Sequence, residues 1–327
     1  MSSSIETYLK KQLDERREKL KSAVVEIGET VELTQLLKEV DAALERMEKG
    51  IYGLCEECHD DIEKDRLIAD PLLRFCLDHL TAEQQHAFEE DLKLASKVQN
   101  SLLPPKELRM NEWKINYHYE PLGPVSGDYC DWVHPAEQQD DIFFIIGDVS
   151  GKGVSASILM SNLHAIFHSI IDAGLSISQL MTRANRIFCE NTMPEFYATL
   201  VCGKANKSGE IEICNAGHCY PLLASNGKIT SIKTSGLPLG AFCSIQYTTS
   251  KAQLSSGDTL FLYTDGLSET QNSSHIEFGT DRIINLLQKH YALSPQELIQ
   301  AYLTDLKSFR SGMSMTDDLT LMAIKRK

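Results

Sequence analysis

The stretch DIFFIIGDVSGKGVSASILMS, Asp141–Ser161, decides how the second half of this chain folds. A run of bulky apolar residues, Ile142 to Ile146, reads as a strand. Asp148 ends it, glycines open a turn, and the small-residue tail reads as a helix over 155–173. Asp148 has three readings here: a turn residue, a companion of glycines that cradle phosphate, or a metal ligand. The Walker spacing of a phosphate loop is absent.

Working outward, other strand-like runs appear at WKINYHYE (113–120), YATLVCGKA (197–205), EIEICNAG (210–217), DTLFLYTDG (258–266) and DLTLMAIK (318–325). Helical runs are expected at 176–191, 279–290 and 294–309 as well. Short turns such as NKSGE and SNGK imply antiparallel hairpins. Groups of hairpin strands separated by long helices fit two sheets with helices packed outside, and not a doubly wound parallel sheet. In this frame four aspartates, Asp128, Asp148, Asp265 and Asp317, fall at or beside strand edges. Converging carboxylates repel one another unless a cation neutralises them. Hard oxygen ligands of this kind suit magnesium or manganese.

The first 80 residues have another texture. Leu33, Leu37, Val40, Leu44, Met47 and Ile51 form a heptad seam, and Ile5, Leu9, Leu13, Leu20 and Val24 a weaker one. A turn at IGET, with Gly28 stopping one helix and Thr30 capping the next, predicts an antiparallel helical hairpin. Beyond it, Cys55 and Cys58 form a CxxC pair, and Cys76 and His79 a CxxH pair. Two such pairs match a closed tetrahedral zinc site. With four protein ligands no coordination position stays open, so the zinc is expected to be structural. His59 is a competing donor that the CxxH spacing disfavours. A further helix over 82–103, with Phe88, Leu92, Ala95, Val98 and Leu102 on one stripe, ends at Pro104–Pro105. The stripe suits either the domain behind it or a dimer seam.

The net charge of −14 argues against DNA or other broad nucleic-acid binding. Residues 1–90 carry 12 basic and 22 acidic side chains, about −10, so the first segment is not a basic head. No signal-like apolar segment opens the sequence, and the longest apolar stretch, 142–146, is too short to span a bilayer. The expectation is a cytoplasmic protein without membrane association. The remaining six of nine cysteines, Cys130, Cys189, Cys202, Cys214, Cys219 and Cys243, are scattered and expected to be reduced small hydrophobes.

Two resemblances follow. ALERMEKGIYGLCEEC and RLIADPLLRFC, within residues 1–82, resemble the DksA/TraR zinc-finger family. That family acts on RNA polymerase through a hairpin tip. The tip here, VEIGETVEL, lacks the family's acidic Asp–Ala motif, and His79 stands where a fourth Cys is usual. In the second half, LASKVQNSLLPP, SGDYCDW, GDVSGKGVSASILMS, NAGHCYPLL, GLPLGAF, GDTLFLYTDGLSE and DDLTLMAIK resemble SpoIIE/RsbU-type phosphatases in identity and order over 92–327. These belong to the metal-dependent PPM class of protein serine/threonine phosphatases.

This second resemblance implies an α-β-β-α sandwich, within an α+β chain that opens on a helical hairpin and zinc finger. It implies two Mn2+ or Mg2+ ions that activate a water. Asp148 would bridge both, the Val149 carbonyl would join one, and Asp265 and Asp317 would complete the shell. Asp128 would be a ligand or hold a bound water. Asp131 and Asp318 would be neighbours, Asp318 standing where the wider class often has Asn. Asn215 and His218 match a turn near the site, with no catalytic role given to the histidine. Ser150 occupies the place of a histidine found in eukaryotic members. Lys152 is either a phosphate contact or a solvated lysine.

The expected organisation is 1–81 for hairpin and finger, 82–105 for a regulatory helix and 106–327 for the phosphatase domain. The expected substrate is a phosphorylated STAS-domain anti-anti-sigma protein, with the finger regulatory and the protein a homodimer. The alternative is a transcription regulator acting on RNA polymerase, with an inactive phosphatase domain.

Overall fold

A computed structural model describes residues 3–28, 30–80, 82–135, 141–234 and 236–327. The chain divides into two compact units, Met1–Asp91 and Leu92–Lys327. In the first, α1 (Ser3–Ile27) and α2 (Val31–Glu48) form the hairpin expected from the two seams. Thr30 caps α2, its hydroxyl accepting the Leu33 amide at 3.2 Å. Leu9, Leu13, Val40, Ala43, Leu44 and Met47 are buried together with Cys55, Ile62, Leu67 and Cys76 of the finger. Ile51, expected to end the seam, lies beyond α2 and is exposed, because the helix stops at Glu48 before the Lys49–Gly50 turn. A short helix, α3 (Lys64–Ala69), separates the two ligand pairs.

The division falls inside α4 (Ala82–Leu102), so the expected separate segment 82–105 is shared between the units. Phe88 lies under the Arg66 guanidinium within the first unit. In the second, Gln99 is buried while Val98, expected on the stripe, is exposed. The other stripe residues, Phe88, Leu92, Ala95 and Leu102, are partly buried as expected.

The second unit holds two antiparallel sheets. Strands β1 (Glu107–Met110), β2 (Trp113–Glu120), β3 (Asp128–Val133) and β4 (Ile142–Val149) come first. Helices α5 (Gly153–Ile170) and α6 (Ile177–Asn191) follow. Then come β5 (Ala198–Ala205), β6 (Glu210–Ala216), β7 (Leu222–Ser225), β8 (Lys228–Ser231), β9 (Ser250–Gln253) and β10 (Thr259–Tyr263). The chain closes with α7 (Asp265–Ser268), α8 (Thr280–His290), α9 (Pro295–Arg310) and β11 (Leu319–Arg326). The sheet orders are β1-β2-β11-β10-β7-β8 and β3-β4-β5-β6-β9.

The continuous apolar runs follow from strands that serve two cores at once. Side chains alternate across a strand. On β4, Ile142, Phe144 and Ile146 enter the core between the sheets, while Phe143 and Ile145 enter the core under α5 and α6. On β10, Leu260 and Leu262 face the other sheet, while Phe261 and Tyr263 pack beneath α8 and α9. The result is the four-layer helix-sheet-sheet-helix order. Local chemistry agrees with it: Ser176 with Gln179, and Ser294 with Glu297, form capping boxes at the starts of α6 and α9. The β7–β8 hairpin turns at Asn226 and Gly227, both with positive φ.

Two expectations change. Cys189 and Cys243 are disulfide-bonded, not reduced. They lie 54 residues apart, but Asn185 of α6 accepts the Gly240 amide and donates to the Phe242 carbonyl, which brings the loop onto the helix. Gly153–Ala173 is also long and apolar enough to cross a membrane by length and composition. Its Met160, Leu163, Phe167 and Ile170 are instead buried against the sheet, as in a core helix.

Phe144 is fully buried between the sheets. Phe144→Ala is expected to cost about 3–5 kcal/mol, read as a lower urea midpoint at unchanged slope.

Candidate metal centre

The ends of four strands from both sheets bring the aspartates together. Asp128 pairs directly with Asp148 across β3 and β4. Asp265 opens α7 one residue beyond the turn after β10, a small shift from its expected place at the strand end. Asp317 and Asp318 immediately precede β11. The central pairing of β10 with β11 therefore sets these two loops side by side.

Asp128 is buried at the seam between the sheets. Its Oδ2 accepts the hydroxyls of Thr264 at 3.0 Å and Thr320 at 2.5 Å. Thr264 Oγ1 also accepts the Thr320 amide, so the two threonines form one bracket. Burial first, then the Asp148 charge, push the Asp128 carboxyl well above the usual carboxylate range. Asp318 is spent on backbone: Oδ1 accepts the Leu122 amide at 2.7 Å and Oδ2 the Gly127 amide at 2.9 Å. It fastens the loop that leads into Asp128.

Asp148 is half-buried. Burial, followed by the charges of Asp265, Asp317 and Asp318, raises its carboxyl to about 7. Asp265 is raised in the same direction by burial and by Asp317. Lys152 donates to Asp317 Oδ2 and to the Thr316 carbonyl, both at 3.0 Å. Glycine keeps the centre open. A Cβ on Gly127 would stand 3.1 Å from the Val149 carbonyl oxygen and 3.4 Å from Asp148 Oδ1. A Cβ on Gly266 would collide with the Asp318 carbonyl oxygen.

Among the described residues, no three of these carboxylates have oxygens all within 4.8 Å of one another. The spacing is too wide for a compact single-ion cage of protein ligands alone. The oxygen donor set fits Mg2+ or Mn2+, which keep several waters of their own.

Gln99 and Ser126 escape a reading of the sequence. Gln99 Nε2 donates to the Ser126 carbonyl at 2.7 Å, and its Oε1 accepts the Ser126 amide at 3.0 Å. The side chain thus pairs with the loop as a strand would. Ser126 Oγ in turn accepts the Asp128 amide. The only signal for Gln99 was a polar residue beside an apolar stripe. Ser150 exchanges two hydrogen bonds with Tyr197, its amide donating to Tyr197 O and its Oγ accepting the Tyr197 amide. It fastens the loop after Asp148 to the approach to β5. Asn215 closes the turn around His218 with reciprocal bonds, and Thr199 Oγ1 meets His218 Nδ1 at 2.8 Å. Burial pushes His218 down to about 4, so it stands there as a neutral buttress.

The finger's four donors, Cys55, Cys58, Cys76 and His79, converge within 4.8 Å of one another. The sulfurs of Cys58 and Cys76 are 3.7 Å apart, and Cys76 Sγ lies 3.2 Å from His79 Nδ1. A tetrahedron with metal–sulfur bonds of about 2.3 Å has edges of this size. Burial pushes the Cys55 thiol up, but hydrogen bonds from the backbones of Cys58, Cys76 and Glu57 outweigh it and bring it down to about 6. His59 sits in a left-handed turn at φ 61° and is not part of the cluster.

The family model Stage II sporulation protein E (SpoIIE) matches residues 138–327, more than half of the chain. The prokaryotic dksA/traR C4-type zinc finger matches residues 50–78. Phosphoserine phosphatase RsbU of Bacillus subtilis is 26% identical over 246 residues, covering 74% of this chain and 72% of RsbU. The SiaA-PP2C domain of Pseudomonas aeruginosa superposes with a TM-score of 0.65 at 18% identity, over 76% of this chain and 99% of that domain. The PP2C phosphatase domain of SpoIIE from Bacillus subtilis, with a fragment of its regulatory domain, gives 0.58 at 20%, over 68% and 64%. Both structures share the fold of the sheet unit.

A carboxyl raised by folding contributes stability that is complete below its ordinary value and is lost as pH rises through its raised one. Without cations, the protein is expected to lose thermal stability from pH 4 through about 7, the position of Asp148. Mn2+ should restore it, with an apparent affinity that strengthens over the same range. Scanning calorimetry with and without Mn2+ checks both. For the finger, elemental analysis of protein purified without chelator should find about one tightly held zinc per chain. Cys76→Ser should lose that zinc and lower the melting of the hairpin unit.

Proposed function

The chain belongs to the SpoIIE family, and from that premise we propose how its residues carry out phosphoprotein hydrolysis. It is a metal-dependent protein serine/threonine phosphatase. The observation that carries the assignment of the site is the gathering of Asp148, Asp265 and Asp317 at one end of the paired sheets, with the Asp148 carboxyl raised to about 7. Such a cluster resists ionising alone and is relieved by divalent cations. Asp148, Asp265, Asp317 and the Val149 carbonyl, kept open by Gly127, would hold two Mn2+ or Mg2+ ions. Asp128 has its Oδ2 committed to Thr264 and Thr320, which leaves Oδ1 to face a metal or its water.

Bound cations supply an acidified water for in-line attack on phosphorus and offset charge on the phosphoryl oxygens. The chain's own contribution is placement. The threonine bracket holds Asp128 beside Asp148. Asp318 fixes the loop that carries Gly127. Lys152, tethered to the Thr316 carbonyl as well as to Asp317, keeps an ammonium over the site, where it meets a phosphate dianion. Ser150, tied to Tyr197, fastens its loop and offers no imidazole for the leaving serine. Water or another residue then supplies that proton.

The substrate in this reading is a phosphoserine or phosphothreonine of a STAS-domain anti-anti-sigma protein. It is supported by similarity to RsbU, a phosphoserine phosphatase. The zinc finger and its hairpin regulate or dock, and the active protein is a homodimer working in the cytoplasm. A polymerase-binding regulator with a silent phosphatase domain is disfavoured, because the aspartate set is intact.

Asp148→Ala and Asp265→Ala are each expected to lower turnover of an aryl phosphate with Mn2+ by about 1,000-fold or more, and EDTA to abolish it. Full activity in either variant would show that the site is misassigned. Incubation with candidate phosphorylated STAS proteins, followed by phosphate-affinity gels, tests the substrate; retention of phosphate on all of them would reject it.

A further inference from the structure

Away from the aspartates, α5 carries two histidines one turn apart, His164 and His168. Their rings stack with centroids 4.1 Å apart. Both present Nε2 to the same oxygen, Oδ2 of Asp131 on β3, at 3.9 Å from His164 and 2.7 Å from His168. All three donor atoms lie within 4.8 Å of one another. Asp131 is almost fully buried, while His168 is 42% exposed, which gives an ion a route from solvent.

We propose that Asp131, His164 and His168 form a further metal site, for Zn2+ or a similar borderline transition ion, separate from the carboxylate centre and from the finger. Two imidazoles at i and i+4 with one carboxylate are a common donor set for such ions, and leave positions open to water. Mg2+ prefers all-oxygen sites, so it does not compete well here.

The surrounding bonds are those that orient metal ligands. Tyr129 donates its phenol to Asp131 Oδ2 at 3.0 Å, which fixes the carboxylate. His164 hydrogen-bonds the backbone of Leu102 at the end of α4. With Nε2 turned to Asp131, that bond falls to Nδ1 and leaves Nε2 free to bind an ion. Around the trio, Tyr129, Ile166 and Phe167 belong to the core under α5. An ion here would clamp α5 to β3, and α5 begins directly after the loop that follows Asp148 on β4.

The test is equilibrium dialysis of the full, finger-loaded protein against Zn2+ in excess Mg2+, followed by elemental analysis. Wild type should hold one more zinc than His168→Gln or the double variant His164→Ala/His168→Ala. Tyr129→Phe should weaken that zinc about tenfold. Histidine ring 15N resonances of both residues should shift together on adding Zn2+, a reading that needs no variant. Equal zinc in wild type and His168→Gln, or ring resonances that stay in place, would overturn the proposal.

Discussion

A single buried carboxylate holds the two sheets in register at the end where the acidic residues meet. Asp128 belongs to one sheet, and the threonines that donate to it flank the central strand pair of the other. Both hydroxyl bonds end on Oδ2, the kind of partner a buried carboxylate requires. Everything else at the centre is arranged around this join. Asp148 sits across from Asp128, Asp265 follows Thr264 directly, and Asp317 lies three residues before Thr320. A one-residue slip of β3 against β4 would part Asp128 from Asp148 and turn its carboxylate to the other face of the sheet.

The same arrangement explains why the centre is electrostatically strained without cations. Four carboxylates converge, and among the described residues only Lys152 is a direct counter-charge. Lys152 is more than half exposed, so its attraction is screened by water and offsets little of the repulsion. The raised Asp148 carboxyl is the visible result. The fold supplies a place where negative charge is costly, and divalent ions are the remedy that fits the oxygen donors.

Much of this was legible in the sequence. Apolar runs bounded by turns placed the central strands, and the aspartates at their ends marked the site. The paired Cys and His spacings marked the finger. Features that depend on distant segments meeting were hidden. Gln99 is a polar residue beside an apolar stripe, and only the loop at Ser126 explains its burial. The Cys189–Cys243 bond joins residues with no local pattern between them. His164 and His168 looked like ordinary members of an apolar helix until Asp131 arrived from another strand. Thr264 and Thr320 look like common strand residues, and their role appears only when β10 and β11 pair.

Asp318 carries a last consequence. Its two oxygens each take one backbone amide, so as a fastener it needs only to accept hydrogen bonds. An asparagine there would have one carbonyl oxygen and a donor group that faces an amide with the wrong polarity. The acid is therefore the better clasp for the loop, and it also adds a full negative charge felt by Asp148. Structural fastening and ion retention are thereby coupled in one side chain. The residue that tightens the loop also adds to the negative field that a cation would neutralise.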